Sequence, residues 1–215
     1  MEQNLAKDKV VLPTVYFGNL DWHVFALQSG ETWIESQENF SKQTLRNRNR
    51  ILGANGVLDL SIPIKKKNSK AGIQHMQMDN EAHWRWQHYH AYVSAYRNSP
   101  YFEFYQPDLE QLMLDESCEN LWDFNLSCLK LVCRWMKLPF EFNFTSEFQL
   151  DYGVQDFRKA FKPSKQEQFF HFPPYLQVFV DRFSFVPNLS ILDLVFNLGP
   201  ESTKYLKNIA FKLPN

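Results

Sequence analysis

Residues 46–50 read Arg-Asn-Arg-Asn-Arg, so guanidinium and carboxamide groups alternate with a period of two. On an extended strand Arg46, Arg48 and Arg50 share one face, and Asn47 and Asn49 share the other. Guanidinium is well shaped for bidentate contact with phosphate or carboxylate, so the run points to an anion. Three cations in a row repel one another unless they are answered. Either a bound anion or carboxylates from packed helices would serve, and the sequence leaves both open. Further along, His88 shares a helical face with Trp84 and Tyr92, four residues to either side. An imidazole titrates near neutrality and can take a proton from an amine or hydroxyl, which makes His88 the acid–base candidate. A hydrogen-bonded, half-buried histidine is the alternative. His83 and His90 fall on other faces, and HWRWQH lacks the H-E-x-x-H spacing of a zinc helix, so no metal site is expected. Asp193 lies in an apolar helical stretch, Leu189 to Phe196, where a carboxylate needs a partner. An arginine from the 46–50 run or His88 would fill that role, and Asn197, four residues on, looks the same way. Tyr16 and Asn19 follow the first strand, at the end where open α/β sheets bind ligands. Tyr16 and Trp84 are expected to wall the pocket.

Charge is distributed unevenly. Lys42 to Lys70 carries net +7, while the rest of the chain carries −8 and the whole −1. A basic zone on an acidic body implies an anionic partner such as a nucleotide sugar or an aminoacyl donor. The sequence pI near 6.6 disfavours nucleic acid. Aromatic side chains, 20 Phe among them, exceed what a core of this size easily hides, so some are candidates to line a pocket. Hydrophobic and charged fractions of 44% and 22% exclude disorder and low-complexity classes. Apolar runs are too short for a transmembrane helix, and the first residues lack a signal-peptide pattern, so a cytoplasmic location is expected. Cys118, Cys128 and Cys133 form no C-x-x-C pair and read as reduced, buried thiols. No G-x-G-x-x-G, Walker loop or H-x-x-H nucleotidylation signature names a cofactor.

The elements that must position these residues read as one α/β domain over 1–215. A central mixed sheet holds the N-terminal strand and a β-hairpin, covered by a helical middle segment and a C-terminal helix. Val10 to Phe17 is β-branched and aromatic, followed by a Gly18-Asn19 break and a short helix over Asp21 to Leu27. Thr32 to Ser36 is the second strand. Gly53-Ala54-Asn55-Gly56 joins two apolar runs, and Asn-Gly, tolerant of positive φ at both residues, signals a hairpin. From Asn80 the apolar period becomes helical. One helix ends before Pro100, a second is expected to start at Pro107-Asp108, and the third runs Leu121 to Met136. Phe140 to Gln149 alternates like a strand, Gln155 to Pro173 has no clean period, and Leu176 to Phe183 reads as strand or loop. Ser190 reads as a helix cap; without a surrounding G-x-S-x-G it is no nucleophile elbow.

At RNRNRILGANGVLDLSIPIK the chain resembles the WbqC-like family of bacteria. LPTVYFGNLDWHVFAL, EAHWRWQHYHAYVSAYRNSPYFEFY and FSFVPNLSILDLVFNLGPES resemble three further blocks of that family, in the same order. The resemblance implies a role with surface-polysaccharide and O-antigen genes, where transfer of an amino acid, glycine, has been proposed. It therefore implies an enzyme moving an aminoacyl or acyl group to a sugar precursor. The competing reading, drawn from the basic zone and the absence of a full catalytic motif, is a non-catalytic binding or scaffold protein whose basic hairpin docks an anionic partner. Compared with longer members the chain is short between about Phe144 and Tyr175. The glutamine frequent in their first motif is also replaced near Leu12-Pro13.

Overall fold

The computed structural model describes residues 8–65, 71–153, 155–161 and 169–211. Lys66, Lys67 and Lys70 of the basic zone, and the middle of the aperiodic 155–173 stretch, lie outside them. Strand β1 (Lys9–Pro13) is buried from Val10 onward, as its uninterrupted apolar sequence requires of a strand covered on both faces. Helix α1 (Leu20–Gln28) crosses over to β2 (Glu31–Glu35), which lies parallel to β1 with Lys9 opposite Glu31 and Pro13 opposite Glu35. Pro13 ends the paired stretch, where its missing N–H costs least, and its carbonyl accepts from Trp22 Nε1 at 2.9 Å. Two short strands, β5 (Asn143–Phe144) and β6 (Gln155–Asp156), complete the order β5-β2-β1-β6, every pair parallel. Of the strand expected over Phe140 to Gln149, only β5 forms.

The hairpin expected at residues 46–64 is present as β3 (Arg48–Gly53) and β4 (Gly56–Ser61), and it makes a two-stranded sheet of its own. Of the Asn-Gly pair only Gly56 takes a positive φ, +108°. Three helices follow: α2 (Trp84–Tyr96), α3 (Phe102–Leu114) and α4 (Leu121–Trp135). Asn120 caps α4, its Oδ1 accepting from the Trp122 and Asp123 N–H groups, and Cys128 and Cys133 are core residues of that helix. The expected start of α3 at Asp108 is corrected: the helix begins at Phe102 and carries Pro107 inside it. Burial of Phe102, Leu109 and Met113 offsets the hydrogen bond that proline forfeits. Asp108 faces α4 instead, accepting from Trp135 Nε1 at 2.9 Å and pairing with Arg134 at 2.8 Å.

The C-terminal part holds β7 (Phe170–His171), α5 (Val180–Phe183), α6 (Ile191–Leu198), α7 (Ser202–Lys207) and β8 (Ala210–Phe211), with β7 and β8 antiparallel. The stretch read as strand or loop before residue 184 thus ends in a helical turn. Ser190 caps α6 as expected, accepting from the Leu192 N–H. No described helix is long and apolar enough to cross a membrane.

Gly199 closes α6 at φ +52°, and a Cβ there would lie 2.5–2.6 Å from the Tyr101 ring. Gly153 has a similar φ, +60°, with open space around it. Gly199→Ala is therefore expected to cost about 1–3 kcal/mol more than Gly153→Ala in urea unfolding, the excess being the steric component. Equal losses would show that Tyr101 gives way freely.

Candidate functional site

Three segments remote in sequence meet on the buried face of α2. Tyr16, held after β1 by its N–H to the Leu45 carbonyl, projects its hydroxyl against this helix. Asn49, on the inner face of β3, donates from Nδ2 to Tyr92 Oη at 3.0 Å. The Tyr92 hydroxyl donates to Tyr16 Oη at 2.8 Å, and Tyr16 Oη lies 3.1 Å from His88 Nδ1. The polar atoms form one directed relay, Asn49 to Tyr92 to Tyr16 to His88, and all four residues are buried. Sequence periodicity places His88 and Tyr92 on one face, and the structure brings Tyr16 and Asn49 to them.

The Tyr16 proton has two acceptors, His88 Nδ1 and Met113 Sδ, the latter at 3.7 Å. An imidazole nitrogen is the stronger acceptor, and pointing the hydroxyl at it selects the tautomer with hydrogen on Nε2. Turning the hydroxyl to Met113 allows Nδ1–H to donate to Tyr16 and leaves Nε2 with a free lone pair. Nε2 has no hydrogen bond to any described residue. Burial lowers the His88 pKa to about 4, so the ring is neutral at pH 7. Burial also pushes both phenols up, and Tyr16 and Tyr92 act as hydroxyl relays rather than phenolates.

Trp84 is buried and packs edge-on against His88 and Tyr16, with its indole N–H bound to Asn80 Oδ1. Beside it sits Arg85, which the sequence reading did not single out. It is buried with no carboxylate in ion-pair range among the described residues. Its guanidinium donates to the Cys118 carbonyl at 2.6 Å and to the Met113 carbonyl, and it lies over the Trp84 and Phe124 rings. An arginine next to the Trp and three residues before the His was the available signal.

The other candidates lie elsewhere. Arg48 and Arg50 share the outer face of β3, as alternation requires, but Arg50 is held bidentately by Asp59, its cross-strand partner, at 2.8 and 3.1 Å. Arg46 precedes the strand and does not share that face. It is buried in an ion pair with Glu38 at 2.6 Å. With Lys65 on Glu119, much of the described basic zone is answered internally. Arg48 is half-buried and has no ion pair among the described residues. Asn47 donates to the Ile62 carbonyl, and Asn19 caps α1 through the Trp22 N–H, so both hold backbone.

Asp193 pairs with neither an arginine nor His88. Its Oδ2 accepts from the Tyr175 hydroxyl at 2.6 Å and Gln177 Nε2 at 2.8 Å, and the Tyr96 hydroxyl lies beside it. Burial raises its pKa to about 6. Tyr96 is eight residues beyond His88 on α2, roughly 12 Å along the axis, which separates the two clusters. Asn197 donates back to the Asp193 carbonyl at 2.7 Å.

The carboxyl ends of the parallel strands carry a third cluster that sequence reading missed. Glu35 is fully buried. Its Oε1 accepts from Thr145 and the Gln37 N–H, and its Oε2 from Tyr152 and Arg158. Arg158 also binds Asp156, and its carbonyl accepts from Arg46. The position where such sheets commonly take a ligand is here filled by the chain's own ions. An acid at the end of a buried parallel strand was the signal, since it must find a cation.

The chain thus combines a parallel α/β sheet, a separate hairpin and a buried tyrosine–histidine relay against one helix. The model of the WbqC-like protein family matches residues 15–168, and the chain belongs to that family. Comparison with curated proteins and with solved structures gave no match.

Proposed function

We propose that the protein is a cytoplasmic enzyme of surface-polysaccharide (O-antigen) biosynthesis that transfers an aminoacyl group, such as glycyl, or another acyl group to an amino- or hydroxy-sugar precursor. The observation that carries this reading is the relay itself. Segments 12–27, 46–65 and 81–105, all blocks of the family resemblance, each supply a member, and the relay ends on an imidazole nitrogen that no described group occupies. In this scheme His88 Nε2 takes the proton of the amine or hydroxyl nucleophile as it attacks the acyl carbonyl. The resulting imidazolium passes it to the departing donor group. Tyr16 accepts from Nδ1–H during that step because its own hydrogen can turn to Met113. Arg48 supplies the contact to a phosphate of donor or acceptor, Trp84 walls the pocket, and Asp193 or Asn197 orients a partner.

A second reading, a non-catalytic binding protein, draws on the dispersal of Arg48, Arg50, His88 and Asp193, which do not gather in one pocket. A thermal-shift panel of nucleotide sugars, aminoacyl-adenylate analogues and free amino acids separates the two when followed by a transfer assay. The enzyme reading expects a ligand that raises Tm in the unmodified protein but not in Arg48→Ala. It also expects turnover that His88→Asn lowers about 10²-fold in kcat with Tm unchanged. Asparagine keeps an acceptor near Nδ1 for Tyr16 and removes Nε2. Ligand binding with no turnover, or turnover untouched by His88→Asn, supports the second reading.

A further inference from the structure

A cavity of about 360 Å³ opens at the amino end of the parallel sheet, opposite the Glu35 cluster and away from His88. Its size is that of a site for a single small molecule. The last turns of α1 and α4 form one side through Ala26, Leu27, Val132 and Cys133, and the starts of β2 and β5 form the other. His23 lines it and is more than nine-tenths buried. The His23 Nε2–H donates to the Phe17 carbonyl oxygen at 2.7 Å. A carbonyl only accepts, so the hydrogen must sit on Nε2, and Nδ1 carries a lone pair. No described residue donates to Nδ1. That lone pair is not sealed off from solvent, and the cavity that His23 lines is large enough to bring a ligand's donor to it.

The surroundings specify the sign of that donor. Glu31, whose Oε2 also accepts from Trp33 Nε1 at 3.1 Å, and Glu141 line the cavity, and among the described residues no lysine or arginine does. Both helices present their C-terminal, partially negative ends to it. The only basic residue in the last turn of α4, Arg134, is directed away to Asp108. Leu27, Val132, Met136, Leu138, Phe142 and Leu206 give the wall an apolar part, beside the polar Ser29, Thr32 and Asn143. We propose that this cavity binds a small organic ammonium: one N–H donates to His23 Nδ1, the charge is held by Glu31 and Glu141, and the apolar body fills the wall. Phe17, whose carbonyl fixes the His23 tautomer, follows Tyr16 directly, so a single turn builds both this site and the relay.

The test is a titration of the full chain, with ¹⁵N-labelled histidine and labelled methyl groups, using benzylammonium. Benzyl alcohol and benzoate, of the same shape, are the comparators. Saturable shifts of His23 Nδ1 and of the Leu27, Val132 and Leu206 methyls are expected, with affinity at least about tenfold tighter for the amine than for the alcohol. Benzoate is expected to give none. Glu31→Gln with Glu141→Gln, both surface changes, should weaken the amine about tenfold while leaving the fold's spectrum intact. Alcohol binding as tight as amine binding, methyl shifts with His23 unmoved, or no saturation would overturn the proposal. Transfer activity plays no part in this readout, so its result is independent of the role assigned to His88.

Discussion

Glu35→Ala is expected to destabilise the protein by about 3–5 kcal/mol, because it removes the anion from a buried ionic cluster and leaves the cation behind. Glu35 is 0% exposed and Arg158 5%, so water cannot replace the lost contacts. The substitution strands the Thr145 hydroxyl, the Gln37 N–H and one arm of Arg158, which donate to this carboxylate at 2.7–3.1 Å, while the Tyr152 hydroxyl, a donor at 2.6 Å, keeps the Glu147 carbonyl at 2.9 Å. Asp156 still holds the other arm of Arg158, which keeps the loss from being larger. Glu35→Gln retains one acceptor oxygen and should cost about half as much. Urea unfolding followed by circular dichroism measures both. A loss below about 1 kcal/mol for Glu35→Ala would mean that the cluster is hydrated and that the carboxyl ends of the strands are open to a ligand.

Asp21→Asn is expected to change the pH dependence of stability rather than its value at one pH. Asp21 sits in the first turn of α1, with Oδ2 accepting from Asn188 Nδ2 at 2.6 Å. Burial outweighs these hydrogen bonds and raises its pKa from 3.8 to about 7. The folded protein therefore holds a proton that the unfolded chain releases near pH 4. Its contribution to stability is complete below that point and is lost as pH rises to about 7, a change on the order of 4 kcal/mol. Asparagine does not titrate. The stability of Asp21→Asn minus that of the unmodified protein should climb by about 1.4 kcal/mol per pH unit between pH 4 and 7, then level off. Taking the difference matters because other groups titrate in the same window. Asp193, raised to about 6, acts in the same direction as Asp21. His23 and His88, both lowered from 6.5 to about 4, act oppositely: their contribution is present above 6.5 and lost as pH falls. The unmodified protein should consequently show a shallow profile in which these slopes offset one another. A difference that stays constant from pH 4 to 8 would show that Asp21 is ionised in the fold at its ordinary pKa.

Where a signal was local, the sequence carried it. The β1–α1–β2 opening, the hairpin at Gly53 to Gly56, and helices α2, α4 and α6 follow from period, caps and turn residues within a few positions of each other. So does the face shared by Trp84, His88 and Tyr92, and so does the opposition of Arg48 and Arg50 to Asn49. The start of α3 was not legible, because Pro107-Asp108 mimics an N-terminus and only packing of Phe102 and Leu109 extends the helix through it.

Period tells which way a side chain points and is silent about what it will meet. Arg46 and Arg50 look equivalent in RNRNR, yet one is buried on Glu38 and the other is clasped by Asp59 across the hairpin. Asp193 needs a partner by its burial alone, and the partners are Tyr175 and Gln177 rather than any cation. Glu35 and Arg158 stand 123 residues apart, and Tyr16 and His88 72. By itself the sequence determined the opening strand–helix–strand unit, the hairpin, helices α2, α4 and α6, the family and the side-chain types available for chemistry, since each is written in short-range pattern. Tertiary structure alone decided which charges are cancelled, which imidazole nitrogens are left free, and that His23 faces a cavity. Those outcomes depend on desolvation and on partners that only folding brings within hydrogen-bond distance.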